Sequence, residues 1–316
     1  MTEAIDRASI EAAHRRIAPF VRHTPLLRLA AGELDVPIPL VLKLELLQHA
    51  GSFKPRGAFN RLLLAREAGE LPAKGVIAAS GGNHGAAVAY AARALGLTAE
   101  IFVPELTPAA KRARIESLGA RLVRTGATYA EALAASRERQ AETGALEVHA
   151  YDHPAVLAGQ GTTAKEFEAD APALTHILVA TGGGGLIGGM AAWLAGRVKL
   201  ISVEPAACPS LHDALAAGRP VQAAVGGVAA DALGARQVGA LMFPQAQAFV
   251  AEAVLVTDDA IRAAQRLLWD RLRLIAEPGG ATALSALTSG AWVPPAGARV
   301  GVLVCGANAD PATILN

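Results

Sequence analysis

Along the chain, short runs of consecutive apolar residues alternate with longer stretches in which apolar positions recur every three or four residues. An apolar run of four to eight residues reads as a strand buried on both faces, and the longer recurrence reads as an amphipathic helix. On this basis strands are expected at 41–46 (VLKLEL), 76–79 (VIAA), 99–103, 120–124, 146–150, 176–180, 198–203 and 299–304 (RVGVLV). Helices are expected at 54–68, 85–95, 108–118, 128–142, 155–169, 186–196 and 258–273. Strand and helix taking turns in this way predicts an α/β fold with parallel-rich, helix-covered sheets. Two helix starts carry capping pairs, Thr107-Pro108 and Thr257-Asp258. The stretch 204–253 has little period and reads as loops and short helices.

Composition narrows the class. A chain of 316 residues has a soft prior of two domains, and 52% apolar residues suffice for a large core. Charges nearly cancel, 29 Lys and Arg against 28 Asp and Glu, whereas a duplex-binding protein carries a basic excess. Two cysteines, Cys208 and Cys305, cannot build a disulfide framework, which points to a reducing, cytoplasmic compartment. The N-terminus MTEAIDRASIEAAHRR lacks the apolar core of a signal peptide. No uncharged apolar run reaches the roughly 18 to 20 residues of a membrane helix.

Parallel sheets bind ligands beyond the carboxyl ends of their strands, and four loops there carry unusual chemistry. In Thr181-Gly182-Gly183-Gly184-Gly185-Leu186-Ile187-Gly188-Gly189 the missing Cβ atoms let several backbone N–H groups aim at one oxyanion, beside a helix N-terminus. A phosphate site is the natural reading. Gly183, Gly185 and Gly188 also match G-x-G-x-x-G, with Glu204 placed as a ribose-binding acid, so a dinucleotide site competes. No P-loop lysine follows the glycines. In Gln48-His49-Ala50-Gly51-Ser52-Phe53-Lys54-Pro55-Arg56-Gly57-Ala58, Lys54 stands at a helix start. The dipole there opposes its charge, which suits a neutral amine for Schiff-base chemistry, and a plain surface lysine is the other reading. Ser80-Gly81-Gly82-Asn83-His84-Gly85 offers donors for a carboxylate or a ring oxygen, with His84 either an acid–base group or a capping residue. Cys305-Gly306-Ala307-Asn308 carries a thiol that either donates to a ring nitrogen or is a small buried hydrophobe. Glu204, Asp213, Cys208 and His212 fit no zinc spacing.

At these loops the chain resembles the serine/threonine dehydratases, fold-type II enzymes that use pyridoxal 5′-phosphate and are tryptophan synthase β-like. KLELLQHAGSFKPRGAFN, ASGGNHGAAVAYAA, AGQGTTAKEF, TGGGGLIGG, EPGGATAL and VLVCGANAD resemble the family's motifs in the family's order, from about Lys43 to Asn308. The resemblance implies that Lys54 forms the Schiff base and shuttles protons, and that Phe53 lies against the pyridine ring. It implies that Gly182, Gly183, Gly184, Gly185 and the Leu186 N–H cradle the phosphate. Asn83 would bond the ring hydroxyl, Ser80, Gly81, Asn83 and His84 would line the carboxylate site, and Cys305 would face the ring nitrogen. A thiol is a weak donor, so the ring nitrogen would stay unprotonated, which suits β-elimination.

Several departures bear on activity. The family's racemases carry a second Ser where this chain has Gly81, so the acid–base group of the opposite face is missing. Metal-binding members carry an Asp six residues after the Glu, where Glu204 is followed by Ser210. Ala232 replaces a glycine in VAADALG, and His49-Ala50 replaces the commoner pair before GSFK. The chain ends at Asn316, so a C-terminal regulatory domain is not expected. The expected architecture is a large domain of 1–72 and 150–316 with a small domain, 73–149, inserted, in a dimer of the kind common in the family. The expected activity is elimination of water and ammonia from L-threonine or L-serine. The alternatives are a serine racemase, a 3-hydroxyaspartate dehydratase and, more remotely, an NAD-dependent oxidoreductase.

Overall fold

The computed structural model describes residues 5–315. Ten strands form two sheets: β1 (Leu26–Leu29), β2 (Leu40–Lys43), β3 (Val76–Ala79), β4 (Ala99–Val103), β5 (Arg121–Arg124), β6 (Leu146–Glu147), β7 (His176–Ala180), β8 (Lys199–Pro205), β9 (Val250–Val256) and β10 (Val300–Leu303). The larger sheet has the order β1-β2-β10-β7-β8-β9 and the smaller β5-β4-β3-β6. Every pairing is parallel except β1 with β2. Strands β3, β7 and β10 are buried along their length, which is why they read as unbroken apolar runs.

Most expected elements are present, and the differences have local causes. The run 41–46 is a strand only to Lys43, after which Glu45–Leu47 form a 3₁₀ turn that points the Glu45 carboxylate inward. The run 146–150 pairs only at Leu146 and Glu147. Beyond them His149 Nδ1 accepts from the N–H groups of Tyr151 and Asp152, and the chain turns. Thr257 caps the helix Asp258–Leu272 as expected. Thr107 does not cap the helix Ala109–Ser117; Pro108 holds that position and no side chain bonds there. Unexpected elements include the polar helix Arg7–Ile17, with three buried positions, and the half-exposed edge strand β9.

The helix Pro154–Asp170 ties the layers together. A Cβ on its Gly159 would lie 2.5 Å from the Arg56 carbonyl oxygen, and one on Gly161 would lie 2.7 Å from that of Gly189. These two glycines of AGQGTT therefore allow close helix crossings with Pro55–Glu67 and Gly185–Leu194. At the first crossing lies a fully buried charge cluster. Arg56 donates to both oxygens of Glu45 (2.8 and 2.8 Å) and to both of Glu166 (2.7 and 2.7 Å). Lys43 donates to Glu166 at 2.9 Å and to the Thr24 carbonyl at 2.7 Å. Arg56 and Lys43 hold the Glu166 carboxyl down at about 2 against the opposing effect of burial, and Lys43 also lies 3.5 Å from the Asp170 carboxylate.

Removing one member of such a cluster strands the others without water. Arg56→Met is expected to destabilise the fold by about 3–5 kcal/mol, read as a lowered urea midpoint, while mutation of the exposed pair Arg262–Asp259 shifts it by under about 1 kcal/mol.

Candidate active site

The site is built where the loop before Lys54 docks on the end of β10. Leu46 N–H donates to Val304 O (2.9 Å), Phe53 N–H to Cys305 O (3.2 Å) and Ala307 N–H to Gly51 O (2.9 Å), and Ser52 bridges Gly306. Ala50 is forced to a left-handed φ of 55°. Its carbonyl accepts from Asn308 Nδ2 (2.9 Å) and Arg114 Nη2 (3.0 Å). Pro55, whose missing N–H costs nothing in a first helical turn, starts the helix Pro55–Glu67. This leaves Lys54 at the helix mouth.

Lys54 Nζ donates to the Ala150 carbonyl at 2.9 Å and lies 5.1 Å from the centre of the Phe53 ring. Burial brings its pKa down to about 8, against the opposing pull of Cys305 and Glu277. Lys54 is thus not a surface lysine. Next to its acceptor, the Tyr151 ring packs on the glycine loop so closely that a Cβ on Gly183 would sit 2.4 Å from it. The amine and the glycine loop therefore meet across one peptide.

The loop itself turns at Gly184, with φ of 84°, into the helix Gly185–Leu194. The Gly182 carbonyl accepts from Ser210 Oγ (2.8 Å) and the Gly183 carbonyl from Gly239 N–H (3.0 Å). Among the described residues no carbonyl accepts from the N–H groups of Gly183, Gly184 and Gly185. Gly184 and Gly185 are buried and Gly183 half-buried, and backbone donors out of water are almost always paired, so these three, at a helix N-terminus with buried Leu186 behind them, fit an anion such as a phosphate.

In the third loop Ser80 Oγ accepts from Gly82 N–H at 3.3 Å. His84 is buried, donates through Nε2 to Val148 O at 2.7 Å, and is held neutral, at about 3, chiefly by burial. It anchors the loop and is no acid–base group at neutral pH. The Asn83 amide is fixed at both ends, donating to Glu277 (2.5 Å) and accepting from Asn308 (2.5 Å). Cys305 is buried, donates its thiol proton to the Gly279 carbonyl at 3.4 Å, and has its pKa raised by burial and by Glu277.

Glu277, the acid of EPGGATAL, is the residue that sequence reasoning missed. Burial raises its carboxyl to about 7, offset by its bond from Asn83. A glutamate directly before Pro-Gly-Gly at a helix start was the available signal. Glu204 spends its carboxylate on a helix start. Buried, with its pKa pushed up to about 7, it accepts from Leu211 N–H and His212 N–H (2.7 Å each) and from Ser210 Oγ (3.3 Å), holding the helix Ser210–Ala217. Among the described residues no three His, Cys, Asp or Glu side chains gather as a metal site. A cavity of about 240 Å³ is walled by Gly81, Gly82 and Asn83 on one side and by Glu277, Gly279 and Asn308 on the other.

A lysine of lowered pKa beside buried, unpaired glycine N–H groups defines a class: enzymes that hold an aldehyde cofactor through an amine and its phosphate through backbone donors. The family described as pyridoxal-phosphate dependent enzyme matches residues 17–306, and the chain belongs to it. It is 40% identical over 308 residues to an L-threonine ammonia-lyase of Geobacter sulfurreducens, covering 96% of this chain and 76% of that protein. A phenylserine dehydratase of Ralstonia pickettii is 36% identical over 98% of this chain and 94% of its own length. The structure of maize serine racemase superposes with a TM-score of 0.91 at 31% identity, covering 99% of this chain and 96% of that one. The fold is thus the tryptophan synthase β-like fold of type II.

The lowered amine makes a test. Lys54 is neutral above about pH 8 rather than above 10.5. Capture of added pyridoxal phosphate by the cofactor-free protein, followed by its visible absorbance, is expected to speed up from pH 6 and level off near pH 8 to 9; a rise continuing past pH 10 contradicts the assignment.

Proposed function

We propose that this protein is an ammonia-lyase that eliminates water from a small β-hydroxy amino acid, L-threonine or L-serine, and releases a 2-oxo acid and ammonia. The observation that carries the reading is the Lys54 amine, held to about pH 8 and bonded to the peptide next to the ring that covers the glycine loop. Pyridoxal phosphate, when bound, draws electron density from the substrate Cα and so acidifies its C–H bond.

The chain's own groups divide the remaining work. Lys54 Nζ, whose pKa burial brings down to about 8, would hold the cofactor and carry the Cα proton. The N–H groups of Gly182, Gly183, Gly184, Gly185 and Leu186 hold the phosphate, and Phe53 backs the ring. Ser80, Gly81 and Asn83 receive the substrate carboxylate at the N-terminus of the helix Asn83–Ala94. His84 keeps that terminus in place. Asn83, fixed by Glu277 and Asn308, would hold the ring hydroxyl through its remaining amide N–H. Cys305, whose one S–H is turned to the Gly279 carbonyl, would be at most a weak donor to the ring nitrogen, which suits β-elimination. Closure of the cleft excludes water.

We take residues 1–72 with 150–316 as the larger domain and 73–149 as the smaller; the confinement of the four-stranded sheet to Val76–Glu147 supports this. The buried free thiols Cys208 and Cys305 support a cytoplasmic enzyme, and the working form is taken as a homodimer.

Lys54→Ala is expected to abolish both the visible cofactor band and 2-oxo acid release from threonine and serine, and borohydride reduction of the loaded protein should leave the cofactor mass on Lys54. Colourless protein after cofactor addition overturns the reading. At Gly81 a Cβ would meet Thr107 Cγ2 at 3.2 Å and nothing closer, so a serine fits with a small shift. Gly81→Ser is therefore expected to gain serine inversion, seen by chiral chromatography, that the native chain performs far more slowly than elimination.

A further inference from the structure

We infer that Glu277 is a positioning residue for the elimination: its carboxylate holds the Asn83 amide in the orientation that leaves one N–H for the cofactor's ring hydroxyl, and its negative charge acts on the Lys54 amine. The inference rests on the reading of the site as an elimination centre and adds to it a residue that works through two others.

Donor accounting fixes the amide. The two N–H groups of Asn308 go to the Ala50 carbonyl (2.9 Å) and to Asn83 Oδ1 (2.5 Å), so Asn83 turns its oxygen to Asn308. Asn83 Nδ2 then gives one N–H to Glu277 Oε1 at 2.5 Å and keeps the other. The carboxylate reaches this place because residue 306 is a glycine, whose Cβ would fall on Glu277 Oε1. The Glu277 N–H donates to the Gly306 carbonyl (3.1 Å), and Pro278 opens the helix Pro278–Thr288 directly behind it, so the backbone under the acid is held as well. A hydrogen bond to an ionised carboxylate is roughly twice as strong as one to a neutral acceptor.

The groups that face this carboxyl come from several elements: Asn83, Lys111 and Arg114 on the helix Ala109–Ser117, Asp231 on the short helix Ala230–Leu233, Lys54, and Cys305 just after β10. Lys111 and Asp231 are bonded to each other, Nζ 2.5 Å from Oδ2, and their charges offset. On the same cavity wall Asp310 accepts from Ala312 N–H (2.9 Å), and Thr313 Oγ1 donates to the Asp310 carbonyl (2.7 Å). Burial brings the Glu277 carboxyl up to about 7, against the Asn83 bond and the Arg114 guanidinium, which the Ala50 carbonyl holds at 3.0 Å. Above that pH Glu277 is a buried anion, and it pulls against the burial that lowers Lys54 to about 8. An amine that carries the Cα proton must first accept it, and one of still lower pKa accepts it less readily.

Two variants separate the two parts of the claim. Glu277→Gln keeps an acceptor for Asn83 and drops the charge; Glu277→Asp keeps the charge and falls one methylene short of Asn83. The first readout is capture of added pyridoxal phosphate by the cofactor-free protein against pH. Its midpoint is expected to move down by about half a pH unit or more in Glu277→Gln and by under about 0.2 in Glu277→Asp. The second readout is 2-oxo acid release from L-threonine and L-serine by the holoenzyme near pH 8. There kcat is expected to fall at least about tenfold in Glu277→Gln and at least about fivefold in Glu277→Asp. A native midpoint in Glu277→Gln, an equal shift in Glu277→Asp, or a native kcat in Glu277→Asp overturns the inference. Should the urea midpoint show that Glu277→Gln does not fold, kcat of Glu277→Asp decides alone. Absence of capture by the native protein overturns the cofactor reading. Absence of 2-oxo acid from the native holoenzyme overturns the elimination reading, and the capture midpoints then still decide whether the Glu277 charge acts on Lys54.

Discussion

The structure depends on a charge cluster with no access to water. Arg56 between Glu45 and Glu166, with Lys43 beside them, fixes where the helix Pro55–Glu67 begins relative to β2 and to the helix Pro154–Asp170. Each ion has been stripped of solvent and is tolerable only in one arrangement. Lys54 stands two residues before Arg56, so its amine inherits its position from a neighbouring guanidinium locked in place by two carboxylates. That is a physical reason for an arginine in GSFKPRGA, and for the Lys43 and Glu45 that open the same motif.

Around the amine, burial acts on four groups in ways that agree. It holds Lys54 and His84 below their ordinary values and raises Cys305 and Glu277 above theirs. The outcome at neutral pH is a site with little fixed charge of its own: an amine that gains and loses a proton readily, a neutral imidazole, an intact thiol and a carboxyl shared between its two states. Charged side chains line the cavity from several elements, Lys111 and Arg114 on the helix Ala109–Ser117 with Asp231 and Asp310, and positive potential at the glycine loop and at Gly82–Asn83 comes from helix termini rather than from side chains.

Much of this was legible in the chain. Strands buried on both faces, such as β3, β7 and β10, announce themselves as apolar runs, and the four strand-to-helix loops at Lys54, Ser80, Gly182 and Cys305 could be found because parallel sheets place ligands there. What was not legible depends on partners distant in sequence. Glu45 and Glu166 are 121 positions apart, and nothing local says that they share one arginine. Glu277 meets Asn83 across 194 positions of sequence, each at the start of a different helix. Edge strand β9 alternates too weakly to be seen, and Glu204, which had the right place for a ribose ligand, turned out to hold a helix terminus. His84 could be read two ways until its ring was seen sealed against Val148.

The turn His149–Asp152 links three parts of the site. Its Ala150 carbonyl receives the lysine, its Tyr151 ring presses on the glycine loop, and its Asp152 carboxylate takes the N–H groups of Ala240 and Leu241. It also leads directly out of β6 in the smaller sheet. Any displacement of that sheet is therefore transmitted through one short turn to the acceptor of Lys54 and to the ring that covers the glycine loop together.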